Sequence, residues 1–148
     1  MPISKKFVED ILTIELPYYE EDNGSLIVIE ELINVPFEIK RVFTVTAMAG
    51  TIRGQHAHIE CSQFLICPTG TIKVLCDDGV NKKTYTLDSS RIGILIPPSI
   101  WAEQIYVKEN SILNVICDKK YSSKDYIREY EEFIKFRKKR EKLLGLLT

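Results

Sequence analysis

Residues 53–58 read "RGQHAH" and hold both histidines of the 148-residue chain, His56 and His58. An imidazole titrates near ~6.5, so it can give or take a proton at neutral pH. Two residues apart on a strand, the two rings enter the same space, roughly 6–7 Å apart along the chain. A same-face pair of this kind suits proton transfer. One ring can remove a proton from a carbon beside a carbonyl while the other manages a proton on a neighbouring atom, the chemistry of isomerisation or epimerisation. Arg53, three residues before His56, adds a planar donor fork that matches phosphate, or a charge that steadies an enediolate.

The elements that must position these residues are short. "SLIVIEEL", "FEIKRVFTVTA", "CSQFLICPTG", "TIKVLCDDG", "KKTYTLD", "IGILIPPS", "EQIYV" and "SILNVICD" are rich in β-branched or aromatic residues and close on Gly, Pro, Asp or Asn. Such spacing predicts an all-β sandwich or small β-barrel, whose mouth is a common ligand site. Asn23-Gly24 and Asp78-Gly79 mark turns, the second a hairpin. From Ser122 the period changes. Tyr126, Tyr130, Phe133, Ile134 and Arg137 recur at three- and four-residue spacing. This predicts a C-terminal α-helix over about 123–144, started by a capping box at Ser122–Asp125. The basic run "KFRKKREK" reads as a solvated helix end. One domain over 1–148, with its core at about 20–120, accounts for the length.

Twenty basic against 21 acidic residues leave a net charge of -1, which argues against a nucleic-acid partner held by phosphate neutralisation. The opening "MPISKKFVEDILTIELP" has no signal-peptide core, and no apolar run approaches the ~20 residues of a membrane span. A cytoplasmic protein with no membrane partner is expected. Cys61, Cys67, Cys76 and Cys117 lack C-x-x-C spacing and read as free, buried thiols.

Gly50, the H-x-H pair, Gln63 and Gly70, followed by the glycine-led "GILIPPSIWAE", resemble the two motifs of the cupin superfamily. The resemblance implies a cupin jelly roll. Gln63 stands where metal-binding cupins carry glutamate, and Glu103 about where they carry a third histidine. Zinc, iron or manganese needs three or four ligands in fixed geometry. Two histidines, an amide and one carboxylate make a poor set, so free histidines in a polar cleft are the better reading.

The resemblance narrows further. "RGQHAH", "GSLIVIEE", "PFEIKRVF", "LDSSRIGILIPPSIWAE" and "YIREYEEFIKF" occur in the order found in nucleotide-sugar 3,4-ketoisomerases, over roughly residues 20 to 136. These small cupins act on thymidine diphosphate 4-keto-6-deoxyglucose. The resemblance implies an isomerase, usually a homodimer, with no metal and no cofactor. Its 3-keto product would feed an aminotransferase in the biosynthesis of 3-amino-3,6-dideoxy sugars. His56 and His58 fall on the family's two active-site histidines. As a working assignment His58 takes the C3 proton and His56 handles the oxygens. Arg53 and Arg41 are the phosphate candidates, and Trp101 a stacking platform for base or sugar. Glu103 and Gln63 would orient the histidines. Glu30 would meet the thymine, across a dimer interface if N-terminal strands are exchanged. Two positions depart from the family pattern. Asn23 replaces an arginine in a D-x-R-G motif, and Thr44 and Thr46 stand in a strand that is often tyrosine-rich. Either bears on the face of C4 that is reprotonated, so gluco and galacto products both stay open. Two other readings also stay open: the related 3,5-epimerase acting on the same substrate, and a non-catalytic sugar-nucleotide-binding cupin.

Overall fold

A computed structural model of the chain describes residues 6–147, with side chains through residue 140. The first five residues of the signal-peptide reading and Thr148 lie outside the described residues, as do the side chains of Glu141 and Lys142 in the basic run.

Twelve strands and one helix follow in order: β1 (Leu12–Glu15), β2 (Tyr18–Glu21), β3 (Gly24–Ile27), β4 (Arg41–Thr46), β5 (Ile52–His58), β6 (Gln63–Thr69), β7 (Ile72–Asp77), β8 (Lys82–Leu87), β9 (Ile92–Ile96), β10 (Trp101–Tyr106), β11 (Ile112–Cys117), β12 (Tyr126–Ile127) and α1 (Tyr130–Leu147). Two five-stranded sheets form, in the orders β1-β9-β6-β11-β4 and β12-β5-β10-β7-β8, beside a β2-β3 hairpin. From β4 on, the chain changes sheet at nearly every connection, which is jelly-roll topology. The described fold is all-β apart from α1.

Alternation along each strand separates the layers. Leu65, Cys67, Val74, Ile94, Tyr106, Leu113 and Val115 fill the space between the sheets. Phe64, Ile66, Leu95 and Ile116 point to the outer face of the first sheet, where Leu16, Val35 and Phe37 cover them. Ala57 and Trp101 point to the outer face of the second and pack on Phe133 of α1. The four cysteines are free and buried, as expected. The turns at Asp22–Asn23 and around Asp78-Gly79 close the hairpins β2–β3 and β7–β8, and Gly79 has φ +91, a conformation glycine adopts without strain.

Two boundaries and one side chain differ from expectation. The β-structure starts at β1, whose Leu12 pairs with Leu95, so the core begins before residue 20. The helix starts at Tyr130, not near 123. Ser122 makes no side-chain cap and Ser123–Asp125 form one 3₁₀ turn; Tyr126 and Ile127 then pair with His58 and Ala57 as an added edge strand. Finally, Arg137 in the basic run is buried, its Nη1 donating to Ser99 O and Oγ at 3.2 Å. Only part of that run is a solvated end.

Candidate active site

Strand β5 carries the chemistry, and an irregularity in it decides what faces inward. On β10, Ala102 pairs with His56 but Glu103 pairs with Gly54, so Gln55 has no partner. Gly54 (φ +84) and Gln55 (φ +52) both occupy the left-handed region. This is a β-bulge, with one extra residue on one strand. Without it, Arg53 and His56 would point to opposite faces. With it, Arg53 lies opposite Gln104, and both line the cleft that holds His56. Glycine is required here: a Cβ on residue 54 would sit 2.7 Å from Gln104 Oε1.

Both imidazoles face inward, fixed by different partners. His56 Nδ1 lies 2.8 Å from the Gly54 carbonyl. A carbonyl only accepts, so Nδ1 carries the proton and Nε2 keeps a lone pair. His58 Nδ1 lies 2.9 Å from Asp125 Oδ2, and its Nε2 is buried with no hydrogen-bond partner. Asp125 is tied to the end of β5, accepting from Glu60 N at 2.7 Å through Oδ1 and from Ile59 N at 2.9 Å through its backbone carbonyl. Burial pushes the His56 pKa down to about 4, helped by the neighbouring His58 and Arg128 and opposed by the Gly54 bond. His58 is also lowered, burial outweighing the hydrogen bond and charge of Asp125. Its contact with Asp125 has the geometry of an ion pair, but the desolvation cost leaves the ring neutral.

Around His56 is a basic, aromatic cleft of about 230 Å³, lined among others by Arg41, Phe43, Arg53, Gln104, Tyr126 and Arg128. The Arg41 guanidinium lies 4.4 Å over the Phe43 ring and 4.9 Å over Tyr121, and Nη1 donates to Tyr126 Oη at 3.1 Å. Arg128 stacks 4.4 Å over Tyr126. The Tyr126 ring is 4.4 Å from His58 and 5.0 Å from His56, centroid to centroid. The arrangement offers a neutral base, two phenols and three guanidinium groups in one concavity, which suits an anionic substrate that undergoes proton transfer.

The family described as "WxcM-like, C-terminal" matches residues 9–138. A TDP-4-oxo-6-deoxy-alpha-D-glucose-3,4-oxoisomerase of Aneurinibacillus thermoaerophilus is 38% identical over 117 residues, 78% of this chain and 84% of that protein. The chain belongs to the nucleotide-sugar 3,4-ketoisomerase family. The solved sugar 3,4-ketoisomerase QdtA of Thermoanaerobacterium thermosaccharolyticum, in complex with TDP, superposes with a TM-score of 0.86 at 32% identity, over 90% of this chain and 98% of that one. A histidine-to-asparagine variant of that enzyme is solved with TDP-4-keto-6-deoxyglucose. The rmlC epimerase of Mycobacterium tuberculosis shares the fold, with a TM-score of 0.71 at 15% identity, over 85% of this chain and 72% of that one.

Within this candidate cleft the structure gathers His56, Arg53, Arg41 and Gln63 from the sequence-derived set, with the His58 ring 5.0 Å from that of His56. Trp101 and Glu103 do not join them. Since His56 faces inward, its partner Ala102 does too, and strand alternation turns Trp101 and Glu103 to the outer face. There Trp101 is 4% exposed, packs on Tyr130 and Phe133, and donates Nε1–H to Glu103 Oε2 at 3.0 Å. Trp101 is therefore a core residue under α1. Glu103 cannot complete a ligand set with the two histidines, nor orient them. Gln63 is inside, but its amide donates to Cys117 Sγ at 3.5 Å; Gly54 and Asp125 orient the rings instead. Glu30 is exposed after β3, its N–H donating to Asn34 Oδ1 at 2.7 Å, and it does not line this cleft.

Sequence reasoning missed Tyr126 and Arg128 in the candidate cleft, along with Tyr121 and Gln104, and Asp125 as the partner of His58. The signal was "KDYIREY", in which Tyr126 and Arg128 alternate around a β-branched Ile127. Helical spacing downstream absorbed these residues into α1.

Proposed function

We propose that the protein isomerises TDP-4-keto-6-deoxyglucose to the TDP-3-keto-6-deoxyhexose, with His56 as the base that carries a proton from C3 to C4. The observation that carries this reading is the free Nε2 of a neutral His56 in a cleft ringed by Arg41, Arg53 and Arg128. C3–H is acidified by the C4 carbonyl, and its removal gives an enediol; a proton returned at C4 leaves the carbonyl at C3. The base is thus His56 and not His58, the reverse of the first assignment. His58 has Nδ1 engaged with Asp125 and Nε2 buried, so it supports the site from below. The guanidinium groups provide for the diphosphate, by charge and fork geometry. The relatives named above support the TDP-sugar as substrate.

The reading extends to assembly and setting. We take the active form to be a homodimer in which N-terminal strands pack on or exchange with the second protomer. Tyr19 and Leu26 of the β2–β3 hairpin, 60% and 59% exposed, and Leu32 and Ile33 beyond it suit such cover. Light scattering after size exclusion tests it. Among the described residues no helix is long and apolar enough to cross a membrane, and we place the reaction in the cytoplasm.

Proton NMR of the protein with TDP-4-keto-6-deoxyglucose in deuterated water tests the function. Loss of the C3 proton with growth of a 3-keto product supports it, and the couplings at C4 assign gluco or galacto configuration. Exchange at C5 favours 3,5-epimerisation instead. Tight TDP binding with no exchange leaves a binding protein.

A further inference from the structure

The turn between β9 and β10 runs through Pro97, Pro98, Ser99 and Ile100 and walls the histidine site. Pro97 and Ile100 line a small cavity together with His56 and His58. Ser99 is fully buried and holds φ +69, a left-handed conformation that serine keeps only under constraint. Its N–H donates to the His58 carbonyl at 2.7 Å, which fastens the turn to the last residue of β5. The chain then enters β10, where Trp101 pairs with Ala57.

The constraint on Ser99 comes from α1. Arg137 is 3% exposed, and its Nη1 donates to both Ser99 O and Ser99 Oγ at 3.2 Å. The Ser99 hydroxyl donates in turn to the Pro98 carbonyl. One charged donor shared by a backbone oxygen and a side-chain oxygen fixes that residue's backbone and rotamer together. Arg137 is itself held. Its stem lies against the β7–β8 turn, where a Cβ on Gly79 would sit 3.5 Å from Arg137 Cγ, and its guanidinium lies 5.6 Å over the Phe7 ring. Burying a cation is costly, and its neighbours Lys138 and Lys139 stay in solvent. The buried charge therefore needs a purpose beyond packing, and the strained turn supplies one.

We propose that Arg137 is a positioning residue for the isomerisation, holding the end of β5, and with it both imidazoles, through Ser99. The inference rests on the ketoisomerase reading above. Arg137 lines neither the cleft around His56 nor the cavity between the histidines, so it acts on the reaction through Ser99. Proton transfer is steep in distance, and a misplacement of ~1 Å costs about 10²-fold in rate. The diphosphate is met by guanidinium groups on other elements, Arg41, Arg53 and Arg128. Rate and nucleotide affinity should therefore respond differently to loss of Arg137.

The test is Arg137→Met, which keeps a long stem and removes the donors, made with and without Ser99→Gly. In Arg137→Met, kcat should fall by about tenfold while TDP affinity by calorimetry stays within about threefold. Glycine adopts a positive φ without help and keeps the N–H that reaches His58 O. Adding Ser99→Gly should therefore return kcat to within about threefold of wild type. With two histidines in the chain, carbon-13 NMR resolves both imidazole Cε1–H signals. They should shift in Arg137→Met and return in the double variant. A role in stability alone lowers the urea midpoint and moves neither the ring signals nor kcat of the folded enzyme. A kcat within threefold of wild type in Arg137→Met, unmoved ring signals, or a loss that Ser99→Gly does not recover overturns the assignment and leaves the ketoisomerase reading intact. Where Arg137→Met does not fold, Arg137→Lys is read by the same rule, because an ammonium lacks the planar fork. A wild-type protein that isomerises nothing overturns both readings.

Discussion

His56 should remain neutral far into acid, and the structure gives a size for the effect. Its folded pKa is about 4 against an ordinary 6.5. Below pH 6.5 the unfolded chain therefore binds a proton that the folded chain refuses, and the difference destabilises the fold. The penalty is absent above pH 6.5, grows as pH falls, and is complete below about 4. At about 1.36 kcal/mol per pH unit the full gap is worth about 3 kcal/mol, with about 2 kcal/mol of it present at pH 5. Urea unfolding of wild type and His56→Asn at pH 8 and pH 5 isolates the term. The wild type should lose about 2 kcal/mol more than the variant between the two pH values. His58, lowered in the same direction, is present in both proteins and largely cancels. The same chemistry appears in kinetics, because kcat/KM reports ionisations of the free enzyme. Its acid limb should fall near pH 4 and not near 6.5. A double difference under about 0.5 kcal/mol, or an acid limb at 6.5, refutes the claim that burial holds this ring neutral.

Three further outcomes follow from the bulge and the cleft. Gly54→Ala should lose at least about 1 kcal/mol in urea unfolding, from the left-handed backbone and the 2.7 Å approach to Gln104, and should weaken TDP binding because Arg53 turns on that bulge. Arg53→Ala should cost about tenfold or more in TDP affinity by calorimetry, the worth of a hydrogen bond to a charged group, and reduce its salt dependence. Glu103→Gln should leave kcat and TDP affinity within about twofold, since the carboxylate lies on the outer face with Trp101; a large loss of activity would return Glu103 to the site.

Much of the architecture was legible because it is local. The strands followed from short β-branched runs and their punctuation, the β7–β8 hairpin from Asp78-Gly79, where a positive φ selects glycine, and the turn before β3 from Asn23-Gly24, one residue late. The helix was legible in kind but not at its start. Ser122 to Asp125 has the residue types of a capping box, yet Asp125 spends its carboxylate on His58 and Glu60 N, contacts that span 67 and 65 residues. Tyr126 and Ile127 gain a ladder against β5 instead of a first helical turn. A local propensity lost to a tertiary hydrogen bond that spacing cannot reveal.

The candidate site shows the same division more sharply. A period of two correctly puts His56 and His58 on one face, because no irregularity lies between them. Applied three residues back it fails, since the bulge at Gly54–Gln55 reverses the face of everything before it and makes Arg53 a neighbour of His56. Applied across to β10 it would have succeeded, but only with the register known: once Ala102 is opposite His56, Trp101 and Glu103 must face α1. The aromatic and acidic residues that looked functional by type are thus structural by parity. The acid that holds His58 and the phenol beside both histidines come instead from Asp125 and Tyr126, nearly 70 positions after His58. What a short motif can specify is the reactive pair. What orients that pair is decided by which distant strand closes the sheet edge beside it.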